Sequence, residues 1–145
     1  MKIYLAGPFF NKIERSNVEK ARDILRSRNF DVFVPMEHKI EGGESMPNDI
    51  WGKKVFELDK NAISGVDCMV VMYYGMYSDS GTAWEVGFAK ALNKKIVVVH
   101  IDQQQESSLM IVNGCDVNLS CIEDLKNFDF KNFSNNSFTT HTEQK

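Results

Sequence analysis

Much of what this chain lacks narrows what it can be. No apolar run approaches the roughly 20 residues that span a bilayer. No basic stretch followed by an apolar one opens the chain, so nothing marks it for export. A cytoplasmic address and no membrane partner are expected. Basic residues are not in excess: 17 Lys and Arg stand against 20 Asp and Glu, a net charge of −3, and they are scattered. Nucleic acid is thereby disfavoured as a partner, because a phosphate backbone is held by a concentrated positive face. Cysteine is scarce and odd in number, with Cys68, Cys115 and Cys121 only. Their spacing suits no metal, so reduced, buried thiols and no metal site are expected. There is no internal repeat. There is no phosphate loop either: Gly7 is followed by Pro8, Phe9 and Phe10, not by the further glycines whose N–H groups close on phosphate.

What remains is an ordinary globular composition. The chain has 145 residues, 43% of them apolar and 26% charged, enough for one domain with a real core. Lys2 to Ala6 reads as a first strand, ended by Gly7-Pro8. Asn11 to Ser27 places Ile13, Val18, Ala21, Ile24 and Leu25 at helical spacing. Asp31 to Val34 is a short second strand stopped by Pro35, and Glu37 to Asn48 is a polar, Gly-rich loop. Asp49 to Ser64 carries Ile50, Trp51, Val55, Leu58 and Ala62 in helical register, with Pro47-Asn48 as a start signal. Cys68 to Tyr74 and Ile96 to His100 are continuous apolar runs, as central parallel strands are. Leu109 to Val112 is ambiguous, Asp116 to Leu119 suits an edge strand, and Cys121 to Phe128 a final short helix. Residues 1–130 make the domain. The tail, 131–145, is polar and expected to be loose.

Alternating strands and helices predict an α/β protein with a parallel sheet covered on both faces. With about five strands, the flavodoxin-like doubly wound order is expected. Its ligand crevice opens where the C-terminal ends of the first and third strands diverge. That brings Ala6 to Phe10 beside the stretch Gly75 to Glu85.

The chain is organised around Ser78-Asp79-Ser-Gly-Thr-Ala-Trp-Glu-Val-Gly-Phe-Ala89: strand, Gly/Ser/Asp turn, helix start. Asp79 or Ser80 can cap that helix, whereas Glu85 lies too far in. Trp84, Phe88 and Leu92 share one helical face, and Glu85 leans towards the turn before it. The apolar neighbours predict a helix with little exposed circumference and a partly enclosed Glu85. An enclosed carboxylate needs a hydrogen bond, which Tyr4 on the first strand can supply. Asp59 follows Trp51 and Val55 at i+8 and i+4, on one face of its helix. Phe9 and Phe10 suit stacking on a flat ring. Carboxylates around an aromatic crevice without a metal cluster fit chemistry at an acetal-like carbon, N-glycosidic bonds of nucleosides included.

Three segments together resemble the nucleoside 2-deoxyribosyltransferase family: Lys2-Ile-Tyr-Leu-Ala-Gly-Pro-Phe-Phe10, Asp79-Ser-Gly-Thr-Ala-Trp-Glu-Val-Gly-Phe88 and Ser108-Leu-Met110. The similarity runs from about Met1 to Phe130. It implies a flavodoxin-like fold, no cofactor, and exchange of the base on a 2′-deoxynucleoside through a covalent deoxyribosyl-enzyme. By position, Glu85 matches the nucleophile that attacks C1′, and Tyr4 the tyrosine that hydrogen-bonds it. Asp79 matches an aspartate that contacts substrate, and Asp59 one that handles protons on the base; the two share that role as far as the resemblance goes. Phe9 or Phe10 matches an aromatic lining the pocket. Gly7, Trp51, Gly81, Ser108 and Met110 complete the implied substrate-binding set. The implied partners are deoxynucleosides and free nucleobases, in a homo-oligomer whose sites borrow residues across the interface.

The chain also departs from the pattern. Ser108 stands where members often have an asparagine directed to the sugar end across the interface, so it loses an amide donor. Lys39 sits near the place of a base-contacting glutamine, which leaves purine or pyrimidine preference open. The alternatives are an N-glycoside hydrolase, with water as acceptor, or a non-catalytic nucleoside-binding module.

Overall fold

A computed structural model describes residues 1–77 and 79–133 of the chain; Ser78 and most of the polar tail lie outside the described residues. Five strands, β1 (Lys2–Ala6), β2 (Asp31–Phe33), β3 (Cys68–Tyr73), β4 (Lys95–His100) and β5 (Val117–Leu119), form one sheet in the order β2-β1-β3-β4-β5. Every neighbouring pair is parallel. This is the flavodoxin-like order, and it makes β1 and β3 adjacent, as expected from the sequence.

Side chains alternate between faces along a strand, so each strand feeds two cores. Ile3 and Leu5 of β1 join α1 (Lys12–Ser27), whose Val18, Ala21 and Leu25 are buried. Tyr4 and Ala6 point the other way, into a core shared with α2 (Asn48–Ser64), α3 (Ser80–Ala91) and α4 (Leu109–Gly114). Burial on both sides explains why β3 and β4 are unbroken apolar runs. Among the described residues no helix is long and apolar enough to cross a membrane.

Local chemistry sets the boundaries. Asn11 caps α1 by accepting from the Glu14 amide at 2.9 Å. Gly7 has φ +149°, and a Cβ there would fall 2.7 Å from Cβ of Met72, so β1 leaves the sheet in contact with β3 through a residue that has no side chain.

Five readings are refined or corrected. The polar loop after β2 contains two 3₁₀ turns, Pro35–Glu37 and Gly43–Ser45. The ambiguous segment is a helix, α4, and the final helix is instead a 3₁₀ turn, Ile122–Lys126. Of the three free thiols only Cys68 is fully buried; Cys115 and Cys121 are half-buried because they sit at the ends of short elements. Finally, α3 has a broad exposed face: Trp84 is 48% exposed, and Ala83, Gly87 and Leu92 are also open. Its apolar residues outnumber what one sheet face and its two helical neighbours can cover.

Candidate active site

Asp79 starts the site. It caps α3 with both oxygens, Oδ1 accepting from the Gly81 amide at 3.1 Å and Oδ2 from the Thr82 amide at 3.0 Å and the Thr82 hydroxyl at 2.6 Å. The cap fixes where the helix begins and hence where the side chain six residues later points. That side chain is Glu85.

Glu85 turns towards β1 and α2. The Tyr4 phenol, fully buried, donates to Glu85 Oε2. Burial raises the Glu85 carboxyl to about 7; the Tyr4 bond opposes that rise, while the charges of Asp59 and Asp79 add to it. Asp59, half-buried on α2, is itself pushed up to about 6 by burial, with His38 pulling the other way. Tyr4 is driven far above the usual phenol range by burial, then by Glu85, so it stays a donor. Two carboxyls poised near neutrality therefore lie within electrostatic reach of a phenol that stays protonated, and Asp59 acts on Glu85 as well, a pattern found where acid and base work is done.

Glu85 is bonded by Tyr4 from β1, whereas the aromatics flanking it in sequence are themselves partly exposed. Trp84 stacks on Phe88 with centroids 5.2 Å apart and meets Phe56 of α2 edge-on, while staying 48% exposed. An aromatic column backs the cluster: Tyr4 stacks on Phe33 at 5.5 Å, and Phe33 on His38 at 4.1 Å. The loop carrying His38 is anchored to α1, because Arg22 and Arg26 both hold Glu37, at 3.0 and 2.7 Å. Phe33 and His38 do not stand out in the sequence; an aromatic in a three-residue strand and a histidine in a polar loop carry no local signal of their meeting.

The other predicted residues fall into separate places. Phe9 and Phe10 stack at 6.4 Å beside the exit of β1, with Phe10 78% exposed. Their loop is pinned by Arg15 Nε donating to the Phe9 carbonyl and by the Phe10 amide donating to Glu14. Trp51 is half exposed and packs on Gly43, facing a cleft of about 700 Å³ between α2 and the loop before it. Lys39 lines that cleft and a second one of about 550 Å³ that it shares with Ile50, Lys54 and Leu58 of α2. Ser108 and Met110 lie across α3 from Glu85, lining a mostly apolar groove of about 560 Å³ between α3 and α4 together with Asp79. One protomer thus brings Tyr4, Asp59, Asp79 and Glu85 together, and leaves Ser108 and Met110 on the far flank of α3.

Comparisons with known proteins identify the family of the chain and agree with its fold. A sequence profile of the nucleoside 2-deoxyribosyltransferase family matches residues 3–135. A nucleoside deoxyribosyltransferase of Limosilactobacillus fermentum is 28% identical over 144 residues, covering 89% of this chain and 86% of that one. A second, of Lactobacillus leichmannii, is 22% identical over 139 residues, with 88% of each covered. The solved structure of a 2-deoxyribosyltransferase from Bacillus psychrosaccharolyticus superposes with a TM-score of 0.84 at 30% identity, over 96% of this chain and all of the other.

Proposed function

The chain belongs to the nucleoside 2-deoxyribosyltransferase family, and from that premise we propose that it moves a 2-deoxyribosyl group between nucleobases through a covalent ester on Glu85. Its substrates are then deoxynucleosides and free nucleobases, and it needs no cofactor. The observation that carries the reading is the enclosed Glu85, held by Tyr4 beside an Asp59 that retains its proton up to about pH 6.

In the first half-reaction Tyr4 holds Oε2 of the ionised Glu85, and Oε1 attacks C1′. The C1′–N bond breaks with its electron pair passing to the departing base, and the Asp59 carboxyl supplies the proton that base takes. In the second, a nitrogen of an incoming base attacks C1′, the ester bond breaks back to the Glu85 carboxylate, and Asp59 recovers a proton. Asp79 is assigned to building the helix start, since both of its oxygens already accept from backbone and Thr82 donors. Lack of a 2′-hydroxyl favours this chemistry by lowering the barrier to positive charge at C1′. Because Ser108 and Met110 lie on the far flank of α3, a neighbouring copy is the source of such residues for the sugar end, and the working protein is a homo-oligomer.

Incubation of a deoxynucleoside with a different free base tests the reaction: a swapped nucleoside is expected. Release of base with no swap would mean hydrolysis instead. Intact-protein mass after a denaturing quench should reveal one added deoxyribosyl group, absent from Glu85→Ala. That variant should lose roughly 10⁴- to 10⁶-fold in rate, as covalent catalysts do without their nucleophile. Retention of a tenth of wild-type transfer sinks the assignment.

A further inference from the structure

Beneath α4 the sheet carries a row of polar side chains where apolar ones would pack more cheaply. Tyr73 ends β3, His100 ends β4 and Asn118 lies in β5, and all three are buried, at 6%, 3% and 5% exposure. Tyr73 and His100 are cross-strand neighbours, and their rings meet edge-to-face at 5.4 Å and 87°. Asn118 Nδ2 donates to the Val112 carbonyl at 3.2 Å, which turns Oδ1 towards His100 Nε2 at 2.9 Å. An amide oxygen only accepts, so Nε2 carries the hydrogen and His100 donates. Burial lowers the His100 pKa, favouring the neutral ring that this arrangement uses. Three buried polar groups on a packed face are tolerated only when bonded; among the described residues no buried side-chain nitrogen or oxygen is left unbonded.

The row touches α4 at both ends. The Ser108 amide donates to Tyr73 Oη at 2.8 Å, and the Val112 carbonyl rests on Asn118. α4 has six residues and no side-chain cap at its start. A helix so short does not hold itself together and takes its position from tertiary contacts. Ile111 is its one fully buried side chain, while Met110 is 82% exposed.

We infer that Tyr73, braced by His100 and Asn118, is a positioning residue that fixes the start of α4 and so the place from which Ser108 and Met110 are presented to the sugar end of the substrate. It rests on the transferase reading above. It touches neither C1′ nor the base, and works through Ser108. Satisfied buried polar networks specify one arrangement where apolar packing would allow several, which is what a short helix delivering side chains to a binding site requires.

The test uses the full chain and Tyr73→Phe, which removes one hydroxyl and keeps the ring against His100. Amide exchange across 107–114 is expected to quicken roughly three- to ten-fold, the loss of one neutral hydrogen bond, with the rest of the sheet unchanged. KM for the deoxynucleoside should rise by about the same factor and kcat stay within roughly two-fold. His100→Phe should behave alike, and His100→Gln, which keeps a donor towards Asn118, should return both readings towards wild type; this pair decides the matter if Tyr73→Phe fails to fold. Unchanged exchange overturns the tie. Faster exchange with unchanged KM also overturns the inference, leaving the row merely structural. If the wild type swaps no bases, the proposed reaction falls, and exchange alone still decides whether the row holds α4.

Discussion

Tyr4 and Glu85, 81 positions apart in the chain, meet through a single bond from the phenol to Oε2. That bond joins the buried face of an inner strand to the middle of α3. It holds the carboxylate in one orientation and stabilises its charge, while burial does the opposite. Removing it should therefore be read in the pH profile. In Tyr4→Phe the Glu85 pKa rises further above about 7; because the reaction also needs Asp59, at about 6, protonated, the basic limb of kcat/KM moves to higher pH and the maximum falls, while the acidic limb stays near pH 6. At neutral pH the rate falls roughly ten-fold or more, since a carboxyl that ionises one pH unit higher is ionised about ten-fold less often below that point. A basic limb that stays put, or moves to lower pH, refutes the pairing as a functional one.

The charge of Asp59 adds to the rise of the Glu85 pKa, while Asp59 itself is raised by burial. The reaction needs Glu85 ionised and Asp59 protonated, so activity should follow a bell with limbs near pH 6 and 7. Asp59→Asn removes the acid and with it the falling limb. What remains is the single ionisation of Glu85, which without the Asp59 charge lies somewhat below about 7, so activity rises through that point to a plateau. Transfer of bases that leave only when protonated should drop about 10²- to 10⁴-fold. Rate–pH curves for wild type and variant, measured side by side, decide it.

The same burial makes Glu85 a stability liability. Its pKa is raised from 4.5 to about 7 in the folded chain, so the folded state holds a proton that the unfolded state has lost across that window. Stability is full below about pH 4.5 and falls as pH rises through about 7. Glu85→Gln escapes this and should be the more stable protein at pH 8 by up to about 3 kcal/mol, the free-energy equivalent of that difference in proton affinity. The gap should close near pH 4. Urea denaturation at the two pH values measures it, and an unchanged difference would contradict the enclosure of the carboxylate.

Asp79 makes three acceptor contacts at the start of α3. Asp79→Ala should cost about 1–2 kcal/mol of stability, the usual loss of an N-cap, and Asp79→Ser much less. If Asp79 acts only through the cap, the serine variant keeps transfer activity within about ten-fold. A serine variant that folds normally but loses transfer as fully as Glu85→Ala would place Asp79 among the catalytic groups.

The difference between what is legible in the sequence and what is not follows the range of the interactions. β3 and β4 are readable because two-sided burial writes itself as an unbroken apolar run, and α1 because its stripe repeats at 3.6 residues. α4 is ambiguous, since four apolar residues in a row suit a strand or a helix, and its helical state depends on contacts with Tyr73 and Asn118. The exposure of Trp84 runs against expectation because apolar neighbours in sequence do not reveal how much surface is available to cover them.

Composition, periodicity and the Asp79–Phe88 motif by themselves determined an α/β sheet of this order and a helix start at Asp79 or Ser80, and singled out Asp59, Asp79 and Glu85 as candidates. Only the tertiary structure decided that Glu85 faces Tyr4 and Asp59 rather than solvent, that Ser108 and Met110 lie on the opposite flank of α3, and that a buried polar row underlies α4. The reason is physical: a local pattern reports which face of an element is apolar, whereas desolvation of a charge and the partner it finds depend on strands and helices that meet only when the chain has folded.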